Sequence, residues 1–287
     1  MKHLKKFVKR SKFLLAVLSP LLKIRAYNRT HFPIDYIFSN ILNESVTVKV
    51  NKIPGKFIIG THSDILKKIL IDKEYEPEIV KLILSNLDPD KDAINIGANI
   101  GLFTNMMATN LNDNSRVLAV EPTPNAYKLL EQNILLNNNQ NKVVLFNGIA
   151  TDKPGNYTIN IVEGKEEYSS VGKLVHPSIK NQEFRSIDVK GETVDNLVKS
   201  NNINPGIIVI DVEGAESLVI NGAIETLEKY HPIIISELND NLLATLNTTS
   251  TEVIKILNNL NYSVTDSENN IPKLPFSGNI VATPKRN

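Results

Sequence analysis

From about residue 74 onward, apolar positions along the chain alternate between helical spacing and short continuous runs. Ile79, Leu82, Ile83 and Leu87 repeat at helical spacing and lead into Ala93-Ile94-Asn95-Ile96, which predicts a buried strand. Gly97 and Gly101 then tighten the chain into a helix over about 100–110. Val117-Leu118-Ala119-Val120 predicts a second strand. A helix over about 124–137 follows, with Leu129, Leu130, Ile134 and Leu135 on one side, and Val143-Val144-Leu145-Phe146 predicts a third strand. Ile207-Ile208-Val209-Ile210-Asp211 and Pro232-Ile233-Ile234-Ile235-Ser236-Glu237 read as a fourth and a fifth strand, both ending in acid. After a helix around 251–260, Tyr262–Thr265 and Asn279–Thr283 read as a closing hairpin. Strand and helix in alternation imply an α/β fold, a mostly parallel sheet with helices on both faces. Ligands of such sheets sit at the carboxyl ends of the strands.

Two stretches break the alternation. Residues 31–72 carry an alternating run, Val46–Val50, a turn signal at Pro54-Gly55, and Phe57-Ile58-Ile59, which predict a small antiparallel cap. Between 154 and 190, Tyr157–Val162 and Phe184–Val189 read as an inserted antiparallel pair around a polar loop with Ser169 and Ser170, placed to act as a substrate lid or as a plain surface hairpin.

The N-terminal arm changes the picture of charge. The formal net charge is +1, but nine basic residues precede the first acid, Asp35, which leaves 23 basic against 31 acidic residues in the body, a net charge of −8. Nothing in the body suggests a nucleic-acid partner. Within residues 1–30 the apolar stretch Phe13–Leu22 is too short to span a bilayer, and no small-residue cleavage site follows it. The arm is expected either to rest as a basic amphipathic helix on an anionic membrane surface, or to pack on the domain or a second subunit in a homo-oligomer. A cytoplasmic location, at the inner face of the membrane in the first case, fits both. The absence of cysteine excludes disulfides, thiolate metal sites and cysteine nucleophiles, and it fits a reducing compartment. Carboxylates, histidines, hydroxyls or lysines are left to do any chemistry.

The stretch from Asn95 to Phe103 is a strand-turn-helix unit. Its opening amides suit a polar or anionic cofactor, and Asn99 stands where many nucleotide-binding loops have a middle glycine, asparagine being a side chain that tolerates positive φ. Glu121-Pro122, about twenty residues further on, ends the second strand where a ribose offers two hydroxyls.

With Asn95-x-Gly-Ala-Asn-x-Gly101, Glu121-Pro122, Asp211-Val212-Glu213-Gly214-Ala215-Glu216 and Glu237 in that order, the chain resembles the FkbM family of S-adenosylmethionine-dependent methyltransferases over about 74–240. The resemblance implies a Rossmann-like class I methyltransferase, a seven-stranded sheet with one antiparallel strand near the C-terminus, and S-adenosylmethionine as cofactor. It implies that Asn95, Gly97, Ala98, Asn99 and Gly101 surround the methionine part, that Glu121 beside Pro122 holds the ribose, that Gly148, Ile149 and Ala150 border the adenine, and that Glu76 reaches the site. Two departures stand out: Asn95 occupies a position where the family usually has an acid, and Val209 one where a lysine is frequent.

Methyl transfer to an alcohol needs alignment and a base. Glu213 is the first candidate and Glu237 the second, with Asp211 placing donor or acceptor; helix capping or dipole complementation is the plain alternative for Asp211 and Glu213, and the expected role of Glu216. His176 and His231, each followed by a proline, read as loop histidines. Asp211 and Glu237 lack a third partner for a divalent cation, so no metal is assigned. The acceptor is expected to be a hydroxyl on a glycan or a related small molecule. A nicotinamide-dependent oxidoreductase and a non-catalytic binding module are the rival readings.

Overall fold

In the computed structural model, which describes residues 45–171, 179 and 182–285, the chain begins with a hairpin of β1 (Ser45–Val50) and β2 (Ile53–Gly60) and continues into α1 (Asp64–Asp72) and α2 (Pro77–Asn86). β3 (Asp92–Ile96), α3 (Leu102–Asn110), β4 (Val117–Val120), α4 (Pro124–Leu136) and β5 (Val143–Phe146) form the first half of the core. β6 (Ile149–Ala150), β7 (Gly155–Ile161) and β8 (Arg185–Glu192) make a separate three-stranded sheet, and α5 (Val194–Asn201) leads back to the core. The second half is β9 (Pro205–Ile210), α6 (Glu216–Asn221), α7 (Ile224–Tyr230), β10 (Ile233–Leu238), α8 (Asp240–Leu243), α9 (Ser250–Asn259), β11 (Tyr262–Asp266) and β12 (Gly278–Pro284). The arm expected at 1–30, the first part of the cap and His176 lie outside the described residues.

The main sheet has seven strands in the order β11-β12-β10-β9-β3-β4-β5. All its pairings are parallel except those of β12, which runs antiparallel to both β10 and β11. The fold is therefore that of a class I methyltransferase, with the single reversed strand in the hairpin expected from the sequence. The chain winds outward from β3 to β5 on one side and from β9 onward on the other, so the switch point lies between β3 and β9.

Alternation along the strands feeds two cores. Ile94, Ile96, Leu118, Ile208 and Ile210 pack with α5, α6, α7 and α9, while Ala93, Val117, Ile207, Val209 and Ile235 pack with α1, α2, α3 and the β1/β2 hairpin. Asp92 binds the near edge of the sheet together: its carboxylate accepts from the Arg116 amide and the Asn204 amide, each at 2.6 Å, joining β3 to the starts of β4 and β9. Such charge-assisted bonds each contribute about 1.5–3 kcal/mol.

Three local expectations change. The turn of the first hairpin falls at Asn51-Lys52, with Lys52 left-handed at φ 66°, and Pro54-Gly55 lies inside β2. β2 pairs with β1 alone, so a proline there costs no ladder bond on its open side. Ile149-Ala150 does not prolong the third strand; the chain turns at Asn147, whose side chain donates to the Glu121 carbonyl, and β6 joins β8 instead. Leu135 faces solvent at 61% exposure while Leu130 and Ile134 are buried. The cap is bolted to the core by Asn133 of α4, whose amide bonds both backbone groups of Ile58 and the carbonyl of Ile100.

Candidate active site

The loop after β3 is shaped by three left-handed residues, Gly97 at φ 80°, Asn99 at φ 47° and Gly101 at φ 85°. Gly97 is required twice over: it sits in the left-handed region, and a Cβ there would run into the backbone carbonyl of Asp211. The same contact brings the ends of β3 and β9 together, where the Asp211 amide donates to the Ile96 carbonyl at 2.9 Å. Asn99 adopts the positive φ that its residue type allows and accepts from the Ile100 amide through Oδ1 at 2.7 Å.

The five loop amides from Gly97 to Gly101 are bonded within the protein. Those of Gly97 and Ala98 donate to the Val120 carbonyl, that of Gly101 to the Ala98 carbonyl, that of Ile100 to Asn99 and that of Asn99 to Glu121. The sharp turn that brings the loop under the strand ends thus closes the hydrogen bonds of these five amides, which lie before the amides that open α3.

Glu121, 4% exposed at the end of β4, is the best satisfied acid of the site. Oε1 accepts from the amide and hydroxyl of Thr123 at 2.8 and 2.6 Å, and Oε2 from the Asn99 amide at 2.9 Å. Burial raises its pKa from the ordinary value, and these bonds oppose the rise.

Between this post and the ends of β9 and β10 lies a cavity of about 420 Å³. Its far side is an acid cluster. Asp211 keeps accessible surface, but that surface faces the cavity and protein closes around the carboxyl, so burial raises its pKa well above the usual range, helped by Glu76, Glu213 and Glu237 and opposed by Lys68. Burial, then Glu237, Glu167 and Glu76, push Glu213 up to about 8. Glu237 is raised by burial and by Glu76. Glu216, 3% exposed, is raised well above its ordinary value by burial, with Glu213 and Asp211 adding to it; Oε1 accepts from the Gly214 amide, while Oε2 has no partner among the described residues. The side chains of Asp211, Glu213 and Glu237 make no hydrogen bond to the described residues.

Two segments outside the core strands roof the cavity. From the cap side come Asp64 and Lys68 of α1 with Tyr75 and Glu76, and from the insertion come Glu166 to Val171. They are tied to each other: Glu167 accepts from the Asp64 amide at 2.7 Å, the Tyr168 hydroxyl donates to Asp64 at 3.2 Å, and Lys165 pairs with Asp64 at 3.2 Å. Ser170 donates to the Glu213 carbonyl at 2.9 Å, so the insertion also touches the acid loop.

Most residues singled out in the sequence meet here: Glu76, Gly97, Ala98, Asn99, Glu121, Pro122, Gly148, Ile149, Ala150, Asp211, Glu213 and Glu237 all line the cavity. Asn95 and Gly101 do not. Asn95 is 1% exposed and turns behind the loop, where Nδ2 donates to Thr104 Oγ1 at 2.8 Å, and Gly101 abuts Leu130 and Asn105. Val209, at the position of a frequent family lysine, packs in the core on the cap side. His231 caps the C-terminal end of α7. Among the described residues no three His, Asp or Glu side chains converge to hold a metal ion, and no helix is long and apolar enough to cross a membrane. Sequence reasoning missed Lys68, Glu167, Tyr168 and the place of Glu216 in the cavity. Lys68 and Tyr168 stand in segments with no recognisable motif, whereas Glu216 belonged to the motif already singled out.

A curated relative, the hexuronic acid methyltransferase AglP of Haloferax volcanii, is 22% identical over 68% of this chain and 74% of its own length. Among solved structures, the methyltransferase FkbM of Methylobacillus flagellatus is 13% identical with a TM-score of 0.44, covering 68% of this chain; this chain spans 44% of that one. An O-methyltransferase of Bacillus cereus, solved with SAH, is 13% identical with a TM-score of 0.41, covering 88% of this chain and 96% of its own. The family described as Methyltransferase FkbM domain matches residues 95–264, from the glycine loop through the fourth and fifth strand ends to β11. The chain belongs to the FkbM methyltransferase family.

Proposed function

We propose that the protein moves the methyl group of S-adenosylmethionine to a hydroxyl of a sugar or a related natural product, with Glu213 taking the proton. The observation that carries this is the meeting of three acids of raised pKa, Asp211, Glu213 and Glu237, with the Glu121 post and the glycine loop in one cavity. A volume of about 420 Å³ suits a small-molecule site. Two buried carboxylate oxygens keep acceptor capacity, Glu121 Oε2 with one bond and Glu216 Oε2 with none.

In this reading Glu121 accepts from the ribose hydroxyls, Gly148, Ile149 and Ala150 border the adenine, Gly97, Ala98 and Asn99 lie against the methionine part, and Glu76 faces its ammonium. Bound there, S-adenosylmethionine supplies an electrophilic methyl carbon. Glu213 accepts the hydroxyl proton as the new C–O bond forms and the S–C bond breaks. A nearby positive charge favours the ionised form of Glu213 and opposes the burial that lifts it. Asp211 and Glu237 orient the acceptor.

The acid cluster also bears on the acceptor. The relative AglP is named for a hexuronic acid, which supports a sugar here. A carboxylate nucleophile needs no base, and a uronate would meet Glu76, Asp211, Glu213 and Glu237 with Lys68 alone to offset them. A neutral sugar hydroxyl fits better. The rival dinucleotide reading is weakened because the pyrophosphate would need loop amides that are already bonded.

The test is calorimetry with S-adenosylhomocysteine, followed by labelled-methyl transfer to neutral and uronic oligosaccharides. Binding and transfer to the neutral set are expected. A folded protein that ignores S-adenosylhomocysteine at millimolar concentration would remove the reading.

A further inference from the structure

An α-amino-acid tail carries a carboxylate as well as an ammonium, and the site offers the carboxylate few places. The five amides from Gly97 to Gly101 are bonded within the protein. Nearly every charged side chain along the cavity is an acid, and Lys68 is the one cation lining it among the described residues.

We propose that Lys68 holds the carboxylate of the cofactor's amino-acid tail while its partner Glu76 faces the ammonium; this rests on the cofactor reading above. The Lys68 Nζ lies 3.1 Å from Glu76 Oε1 and 5.4 Å from the centre of the Tyr75 ring, so the ammonium is held in place at the cavity wall. It has three donors, and its side chain is 54% exposed, so donors remain for a ligand. The pair presents an ammonium beside a carboxylate, the complement of an α-amino acid, in which a carboxylate and an ammonium share one carbon. A second, head-to-tail ion pair completes the square. Burial by itself would lower the Lys68 pKa, but Glu76, Glu237 and Asp211 outweigh it and keep the lysine charged.

Lys68 belongs to α1, before the matched family segment of 95–264. The cap therefore completes a cofactor site whose glycine loop has no amide left to offer, and this role is assigned by neither the loop motif nor the strand-end acids.

The probes are S-adenosylhomocysteine and 5′-methylthioadenosine, which keeps the nucleoside and sulfur but lacks the amino-acid tail. Calorimetry on the full chain should show Lys68→Met weakening S-adenosylhomocysteine about tenfold or more while 5′-methylthioadenosine changes by less than about twofold. Lys68→Arg should restore most of the loss. Unchanged S-adenosylhomocysteine binding in Lys68→Met would overturn the assignment and pass the carboxylate to the first-turn amides of α3. Equal loss of both probes would overturn it too, since that marks a distorted cavity. Wild-type protein that binds neither probe would sink the cofactor reading itself, and that result is separate from any difference between variants.

Discussion

Two sides of the cavity carry acids, and they are built in opposite ways. At the end of β4, Glu121 accepts three hydrogen bonds from Asn99 and Thr123 and is fixed before any ligand arrives. Across the cavity, Asp211, Glu213 and Glu237 crowd together without hydrogen bonds to the described residues; burial raises the pKa of all four acids, and only at Glu121 do hydrogen bonds oppose the rise. Donors aimed at a carboxylate favour its charged form, whereas burial and neighbouring acids favour the proton. In the proposed reading the first arrangement is a fixed acceptor for hydroxyls, and the second holds carboxyls of raised pKa, Glu213 at about 8. On that proposal binding and chemistry are separated by hydrogen bonding, although both sides use the same functional group.

The sharpest way to break this contrast is to remove one acid from each side. Glu213→Gln should lower labelled-methyl transfer about 10²- to 10⁴-fold while S-adenosylhomocysteine affinity, read by calorimetry, changes less than about threefold. The reverse pattern is expected on the other side. Glu121→Gln replaces an acceptor by an amide facing the Asn99 or Thr123 donors, at a cost of about 1–3 kcal/mol, so S-adenosylhomocysteine should bind roughly ten- to a hundredfold more weakly. Turnover at saturating cofactor should stay much closer to wild type than in Glu213→Gln. If both variants lost affinity and turnover alike, the division would not hold.

A smaller effect sharpens the proton-exchanging side. Folding lifts Glu213 from the usual carboxylate range to about 8. Between those values the folded chain binds more protons at this site than the unfolded chain, so stability falls as pH rises through the window. Glu213→Gln abolishes that loss. Its melting temperature relative to wild type should climb from about pH 5 to about pH 8 and then level off. A gap that stays flat with pH would mean that Glu213 is not held in the protonated form.

The succession of core strands along the chain, the closing hairpin, the positive φ of Asn99 and the strand-end acids could all be read from the chain, because each rests on local pattern. Strand runs, a glycine-spaced loop and a motif at a strand end are properties of neighbouring residues, and the parallel sheet gathers them at one edge whatever the loops do. Other points were out of reach. Asn95 looked like part of the ligand wall, but side chains alternate across a strand, and only the packing of α3 shows that Thr104 takes its amide. Glu216 looked like a plain helix-opening acid, and only the closeness of Glu213 and Asp211 makes it a member of the cluster.

What the sequence determined by itself was the fold class, the family and the carboxyl edge on which the site stands, since periodicity and short motifs are local. The tertiary structure decided how the site is finished. It bonded the loop amides internally, tied the Glu166 to Ser170 strap to α1, and brought Lys68 beside Glu76 at the rim. The contacts of the strap with α1 join segments about a hundred residues apart on either side of the glycine loop. Their pairing depends on how cap and insertion pack over the sheet, which no local pattern encodes.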